Sequence, residues 1–192
     1  MKFLGNKNRV SSFLLDEFLE SNKSKNANAL DLFSGTGSVS KLLSDLGYNV
    51  TSVDVLKLSY YLTYSKLNNT PILGADSSFS FIENMRDGYI TNNYSEKVKV
   101  NIFNKNIANH IDGCLEILKG YRNKSSNKFH FLMATLLEES DFRSNIMGSY
   151  ESFYKKGWRS QALKKWTFNV IKNRTQTTNT AINSSVENFF ET

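Results

Sequence analysis

Seven residues and one distant carboxylate carry the chemistry legible in this chain. Asp31-Leu32-Phe33-Ser34-Gly35-Thr36-Gly37 reads as the end of a strand, a Gly-X-Gly turn and the start of a helix. Glycines there let backbone approach a ligand closely and allow positive φ. Asp54 follows Gly37 by 17 residues, enough for a helix and a second strand. A carboxylate at that strand end can accept both hydroxyls of a ribose. Three readings are open: a plain α/β turn, a dinucleotide site, or an S-adenosylmethionine site. The dinucleotide fingerprint wants a third glycine where Ser40 stands. Asp31 would also repel a pyrophosphate. A carboxylate suits a ligand with a cationic amine, such as the methionine end of S-adenosylmethionine, and this favours the third reading.

The elements that must position these residues follow from periodicity. Ala29–Phe33 is a buried strand, Val39, Leu42, Leu43 and Leu46 mark a helix, and Gly47 stops it. Asn49–Asp54 is a second strand and Leu56–Leu67 a further helix, broken by Asn68-Asn69-Thr70-Pro71. This order calls for a parallel sheet with right-handed crossovers. Residues 9–20 space as an N-terminal helix. Residues 88–102 read as loop or extended chain. Helices run through Ile107–Leu118 and Phe129–Leu137. The stretch from Thr175 is a polar loop, and Ser185 to Asn188 is a weak capping box before a short helix.

Composition narrows the classes. The 192 residues contain one proline, Pro71, where average usage would give roughly ten. There are 23 asparagines but two glutamines and two histidines, a bias expected of an AT-rich genome. One cysteine excludes a disulfide framework, and His110 and His130 are too far apart in sequence for a histidine metal site. Hydrophobic residues at 40% and aromatics at 13% describe a folded globule. No apolar run reaches the about 18 residues a membrane span needs, and the N-terminus lacks a secretory signal, so a cytoplasmic location is expected.

The net charge of +6 lies entirely in residues 151–175, which hold seven basic side chains against Glu151; elsewhere the charges cancel. That segment also contains Phe153, Tyr154, Trp158, Trp166 and Phe168. Cations interleaved with aromatics suit a polyanion with stackable bases. The plainer alternative is a basic solvated helix with buried aromatics.

Taken jointly, these stretches resemble the class alpha adenine-N6 DNA methyltransferases of restriction–modification systems. Phe3-Leu4-Gly5-Asn6-Lys7 is similar to that family's aromatic-x-Gly-Ser-Lys opening, with Asn6 in place of serine. Asp31–Val39 matches its cofactor loop, and Ser52-Val53-Asp54-Val55 with Tyr60-Tyr61 its second motif. Leu132–Glu139 and Ser144–Lys156 resemble the long helix and the Asn-x-x-Gly-x-Tyr-x-x-Phe-x-Lys stretch. The resemblance implies a Rossmann-like α/β methyltransferase fold, incomplete here, with a helical DNA-recognition region. It implies S-adenosylmethionine as cofactor and double-stranded DNA as partner. Phe3, Lys7, Asp31, Phe33, Ser34, Gly35, Gly37 and Asp54 would then hold the cofactor. Tyr150, Phe153, Lys155, Lys156 and Arg159 would face DNA, with Gly148 beside them. The expected organisation is a cofactor-binding part over 1–87, a mostly helical DNA-facing part over 88–175, and a tail over 176–192.

The family's chemistry also needs an Asp/Asn-Pro-Pro-Tyr/Phe motif, which a chain with one proline cannot contain. The nearest string, Asp76-Ser77-Ser78-Phe79, lacks both prolines and reads as a helix start. No catalytic residue is therefore assigned. The chain is expected to stop shortly before the catalytic strand, through a split gene, an interrupted frame or truncation. It is expected to be inactive alone, with a second polypeptide or a C-terminal half supplying the motif. The alternatives are a non-enzymatic DNA-binding remnant or partner subunit, and an RNA or small-molecule methyltransferase.

Overall fold

The computed structural model describes residues 27–71, 81–122, 126–147, 152–154 and 156–191. The expected helix over 9–20 and the string at 76–79 lie outside them. The described residues form two units. One takes 27–70 with 172–191, and the other takes those within 71–171.

The first unit is a mixed α/β layer. Strand β1 (Asn28–Asp31) leads through the glycine turn into helix α1 (Ser38–Asp45). Strand β2 (Asn49–Asp54) leads into helix α2 (Lys57–Leu67). A third strand, β3 (Thr180–Asn183), and a short helix, α6 (Val186–Phe190), come from the far end of the chain. All pairing is parallel in the order β1-β2-β3, with Ala29 opposite Val50 and Val53 opposite Ile182. Leu43, Tyr48, Val50 and Leu67 form the core, flanked by Ala29, Val39 and Leu46. Val39, Leu43, Leu46, Val50 and Leu67 are apolar positions of the predicted elements, but β1 is not the buried strand expected, since Leu30 is 46% and Phe33 72% exposed.

β3 has little apolar character, and polar side chains bring it to the sheet. The Asn179 amide donates to Leu67 O at 2.9 Å and to Ser44 Oγ at 3.0 Å, and its Oδ1 accepts from Val50 N at 2.9 Å. Ser44 Oγ also bonds Thr177 Oγ1 at 2.9 Å. Asn173 donates to Lys66 O and Asn68 O. Residues 176–192, expected as a tail, thus supply the third strand and a final helix. That helix begins as its sequence predicts, with Ser185 Oγ accepting from Asn188 N at 3.2 Å.

The second unit is mainly helical. It contains α3 (Tyr89–Tyr94), α4 (Lys105–Arg122) and α5 (Ser126–Arg143), with 3-10 turns at Glu96–Val98 and Ser160–Leu163. α4 and α5 extend the two predicted helices. The expected loop over 88–102 is corrected by α3 and the first 3-10 turn. The reason is tertiary: the buried Asp112 carboxylate on α4 accepts from Ile90 N at 3.0 Å and from Thr91 N at 2.8 Å. The cap lies 21 residues downstream of Thr91, beyond any local signal. Phe81, Ile107, Leu118, Phe131 and Leu132 are buried in this unit. Cys114 is buried too, donating to Phe81 O at 3.3 Å, and burial pushes its thiol up to about 12, which removes it as a nucleophile.

Candidate functional site

The carboxyl ends of parallel strands are where open α/β sheets bind ligands. Here a small cavity of about 170 Å³ opens at that end, lined by Leu32, Phe33, Asp54, Val55, Ser184, Ser185, Val186 and Glu187. Phe33 is 72% exposed, so its ring is available to cover a ligand. The volume is below the roughly 300–1,000 Å³ of whole ligand pockets, so these residues form one part of a site.

The loop is built from two carboxylates and two glycines. Gly35 N donates to Asp54 Oδ2 at 2.8 Å, and Leu56 N donates to Asp54 Oδ1 at 2.9 Å. The second bond is an Asx turn carrying the chain from β2 into α2. Gly35 and Gly37 have φ of 52° and 73°. Gly37 has a packing requirement as well, because a Cβ there would lie 2.7 Å from Thr63 Oγ1 and 2.9 Å from Thr63 Cα. Ser34 is buried on that same side and accepts from Thr63 Oγ1 at 3.3 Å. Asp31 accepts from Ser40 Oγ at 2.6 Å. Ser40, the residue in place of a third glycine, is therefore the hydroxyl that fixes the Asp31 carboxylate.

The predicted cofactor residues thus divide. Phe33 and Asp54 line the cavity, and Gly35 bonds Asp54. Ser34 and Gly37 pack the loop on α2, and Asp31 is tied to α1. Phe3 and Lys7 lie outside the described residues. Sequence reasoning missed the wall from Ser184 to Glu187. Its signal was available only by noticing that a third parallel strand must also end at the crevice, and Thr-Ala-Ile-Asn does not advertise a strand.

The chemistry of the lining bears on which ligand fits. Its ionisable groups are Asp54 and Glu187, both acidic, and its hydroxyls are Ser184 and Ser185. Such a set accepts hydrogen bonds from ribose hydroxyls and from an amine, and its two carboxylates disfavour a pyrophosphate. An adenosyl sulfonium fits this set better than a dinucleotide.

In the helical unit, Asn145 ties the chain just after α5 to the start of the basic segment. It is fully buried. Its Nδ2 donates toward Asn101 O at 3.1 Å, Tyr154 O at 3.2 Å and Gly157 O at 3.3 Å, and its Oδ1 accepts from Arg159 N at 2.9 Å. The Arg159 guanidinium donates to Ser144 O at 2.8 Å and Ile146 O at 3.2 Å. Ile146 and Phe153 pair as an antiparallel bridge. Of the predicted DNA-facing residues, Lys156 is exposed, Phe153 and Arg159 are half-buried, and Tyr150, Lys155 and the neighbouring Gly148 lie outside the described residues.

Two aromatics of the basic segment, Trp166 and Phe168, separate from its cations, while Tyr154 is 40% exposed. Trp166 is buried, stacked on His110 with ring centroids 5.6 Å apart, and its Nε1 donates to Phe81 O at 3.1 Å. Phe168 is buried, stacked on Phe81 at 4.4 Å. Lys164, Lys165, Lys172 and Arg174 are exposed. Trp166 and Phe168 are therefore core residues and not stacking platforms for bases. Among its described residues, helical structure is confined to the 3-10 turn at Ser160–Leu163.

Fold and site together define a mixed α/β protein with a small acidic cavity at the carboxyl ends of its parallel strands. The chain belongs to the D12 class N6 adenine-specific DNA methyltransferase family, whose model matches residues 3–191. It is 31% identical over 183 residues to modification methylase LlaI of Lactococcus lactis subsp. lactis, covering 87% of this chain and 29% of that protein. It is 32% identical over 187 residues to the type II methyltransferase M.FokI of Planomicrobium okeanokoites, covering 86% and 28%. A third relative, the type II methyltransferase M.CviAII of Paramecium bursaria Chlorella virus 1, is 23% identical over 91% of this chain and 55% of its own length. The chain thus spans under a third of the first two relatives. No solved structure matches it. Among the described residues, no helix is long and apolar enough to cross a membrane.

Proposed function

We propose that these residues form the S-adenosylmethionine-binding part of an adenine-N6 DNA methyltransferase with a Rossmann-like sheet. The observation that carries this reading is the acidic cavity at the strand ends, with Asp54 held at its edge by Gly35 N and Leu56 N. In the reading, Asp54 accepts the ribose hydroxyls and Phe33 covers the nucleoside. Ser184 to Glu187 form the opposite wall, and Phe3 and Lys7 close the site from the N-terminal segment. Asp31 supplies negative charge on the side of the amine. When bound, the cofactor supplies a methyl on a positively charged sulfur. The chain's own contribution is to bind and orient it, a positioning effect.

The acceptor is an adenine flipped out of duplex DNA, since a stacked base cannot reach the methyl. Lys156, Lys164 and Lys165 contact phosphates, and the turn held by Asn145 and Arg159, with Tyr150, Phe153 and Lys155, faces the target base. Transfer itself requires an Asp-Pro-Pro-Tyr type motif, and a chain with one proline holds no such pair. That motif is supplied from outside these 192 residues. Support for a neighbouring strand comes from β1, which among the described residues pairs on one side only.

Equilibrium dialysis with labelled S-adenosylmethionine tests the reading. Retention that unlabelled S-adenosylhomocysteine competes and a nicotinamide dinucleotide does not is expected. Competition by the dinucleotide alone would overturn it. Tritium transfer to DNA by the 192 residues alone would overturn the claim that the motif comes from outside.

A further inference from the structure

We infer that Asn183 is a positioning residue for the Asp54 carboxylate, an inference that rests on the cofactor reading above. Asn183 is the last residue of β3 and sits opposite Asp54 in the parallel register. Its Nδ2 donates to Asp54 O at 3.0 Å and to Val55 O at 2.9 Å. Ser184 N donates to the same Asp54 carbonyl at 3.2 Å.

These bonds hold the backbone beneath the carboxylate, and a different set holds the carboxylate itself. Oδ1 accepts from Leu56 N and Oδ2 from Gly35 N. An Asx turn fixes a side chain relative to its own backbone, not relative to the sheet. Apolar packing does not anchor the turn either, because Val55 is 65% exposed and Leu56 50%. Together with Ser184 N, the Asn183 amide ties residue 54 to β3, and it extends that tie to the Val55 carbonyl. Asparagine is a poor strand former, and this one is exposed, so neither propensity nor core burial explains it. The paired donation to two successive carbonyls does. Asn183 is absent from the cavity lining and acts through Asp54.

A double-mutant cycle on the 192-residue chain tests this by titration with S-adenosylmethionine, using Asn183→Ala and Asn183→Asp alone and combined with Asp54→Asn. Each Asn183 variant removes both donors, and the aspartate keeps the size. Each is expected to bind about fivefold more weakly, the scale of lost neutral hydrogen bonds. On the Asp54→Asn background each should add less than twofold, because the group being positioned is already altered. Wild-type affinity in both single variants would overturn the inference. So would an equal loss on both backgrounds, which marks a general structural effect. A wild-type chain that binds no S-adenosylmethionine overturns the cofactor reading, and the inference with it.

Discussion

Asp54 Oδ2 accepts the Gly35 amide at 2.8 Å, joining the end of the second strand to the glycine turn after the first. One carboxylate therefore serves as both a ligand-facing group and a staple. Asp54→Ala leaves the Gly35 and Leu56 amides without this partner. A hydrogen bond to a charged group contributes about 1.5–3 kcal/mol. The variant should lose about 2 kcal/mol of stability in urea melts, with no ligand present. An unchanged midpoint would show that the staple contributes nothing.

Gly37→Ala should be among the most damaging changes in the loop. It puts a Cβ 2.7 Å from Thr63 Oγ1 on a residue with φ of 73°. Left-handed strain alone costs about 1–2 kcal/mol, and the clash adds to it. Thr63→Ala in the same chain should recover only part of the loss, because Thr63 Cα also lies within 2.9 Å. Full recovery in thermal melts would place the whole cost on the Thr63 hydroxyl.

Asn145→Ala removes a fully buried amide and strands several backbone groups, each costing about 1–3 kcal/mol. Stability should fall by more than for any exposed asparagine, and Arg159 should lose its anchored main chain. Asn145→Asp should do no better, since it deletes both donors and points a charge at carbonyl oxygens. Urea midpoints for the pair, set against exposed Asn93 as a control, check this.

Acid sensitivity should come partly from His110. Burial, and then the Arg143 charge, hold it below its ordinary value of 6.5. Its Nδ1 is buried without a hydrogen-bond partner. The folded state therefore binds this proton less readily than the unfolded chain does. The stabilising contribution is complete above pH 6.5 and is lost as pH falls below it. Burial acts on His130 in the same direction. Urea midpoints should drop between pH 7 and 5, and His110→Phe should shrink that drop. An equal drop in the variant would remove His110 from the account.

DNA affinity should fall with salt, and Lys164→Gln with Lys165→Gln should flatten the dependence. Neutralising one lysine that pairs with a phosphate lowers the slope of log K against log salt by roughly 0.9. Trp166→Phe should leave the slope unchanged, since its ring is in the core. A slope that moves with Trp166 and not with the lysines would reverse the assignment.

The parts of this molecule that were legible in the sequence are those fixed locally. The strand–glycine–helix signal at 29–46, the strand ending at Asp54 and the helices α2, α4 and α5 all follow from short-range pattern. What was not legible depends on distant partners. Helix α3 exists because Asp112 caps it from another helix. Strand β3 exists because Asn179 and its hydroxyl neighbours seat a polar segment against β2 and α2. The basic segment showed its charge correctly but not the direction of two of its rings. Trp166 and Phe168 turn inward onto His110 and Phe81 while the lysines beside them stay in water.

The central claim is that these residues bind S-adenosylmethionine through Asp54. Calorimetric titration of the wild-type chain and Asp54→Ala with S-adenosylmethionine, up to millimolar ligand, tests it most directly. Saturable heat in the wild type and affinity at least about tenfold weaker in the variant are predicted. No heat from the wild type, or equal affinity in the two, would contradict it.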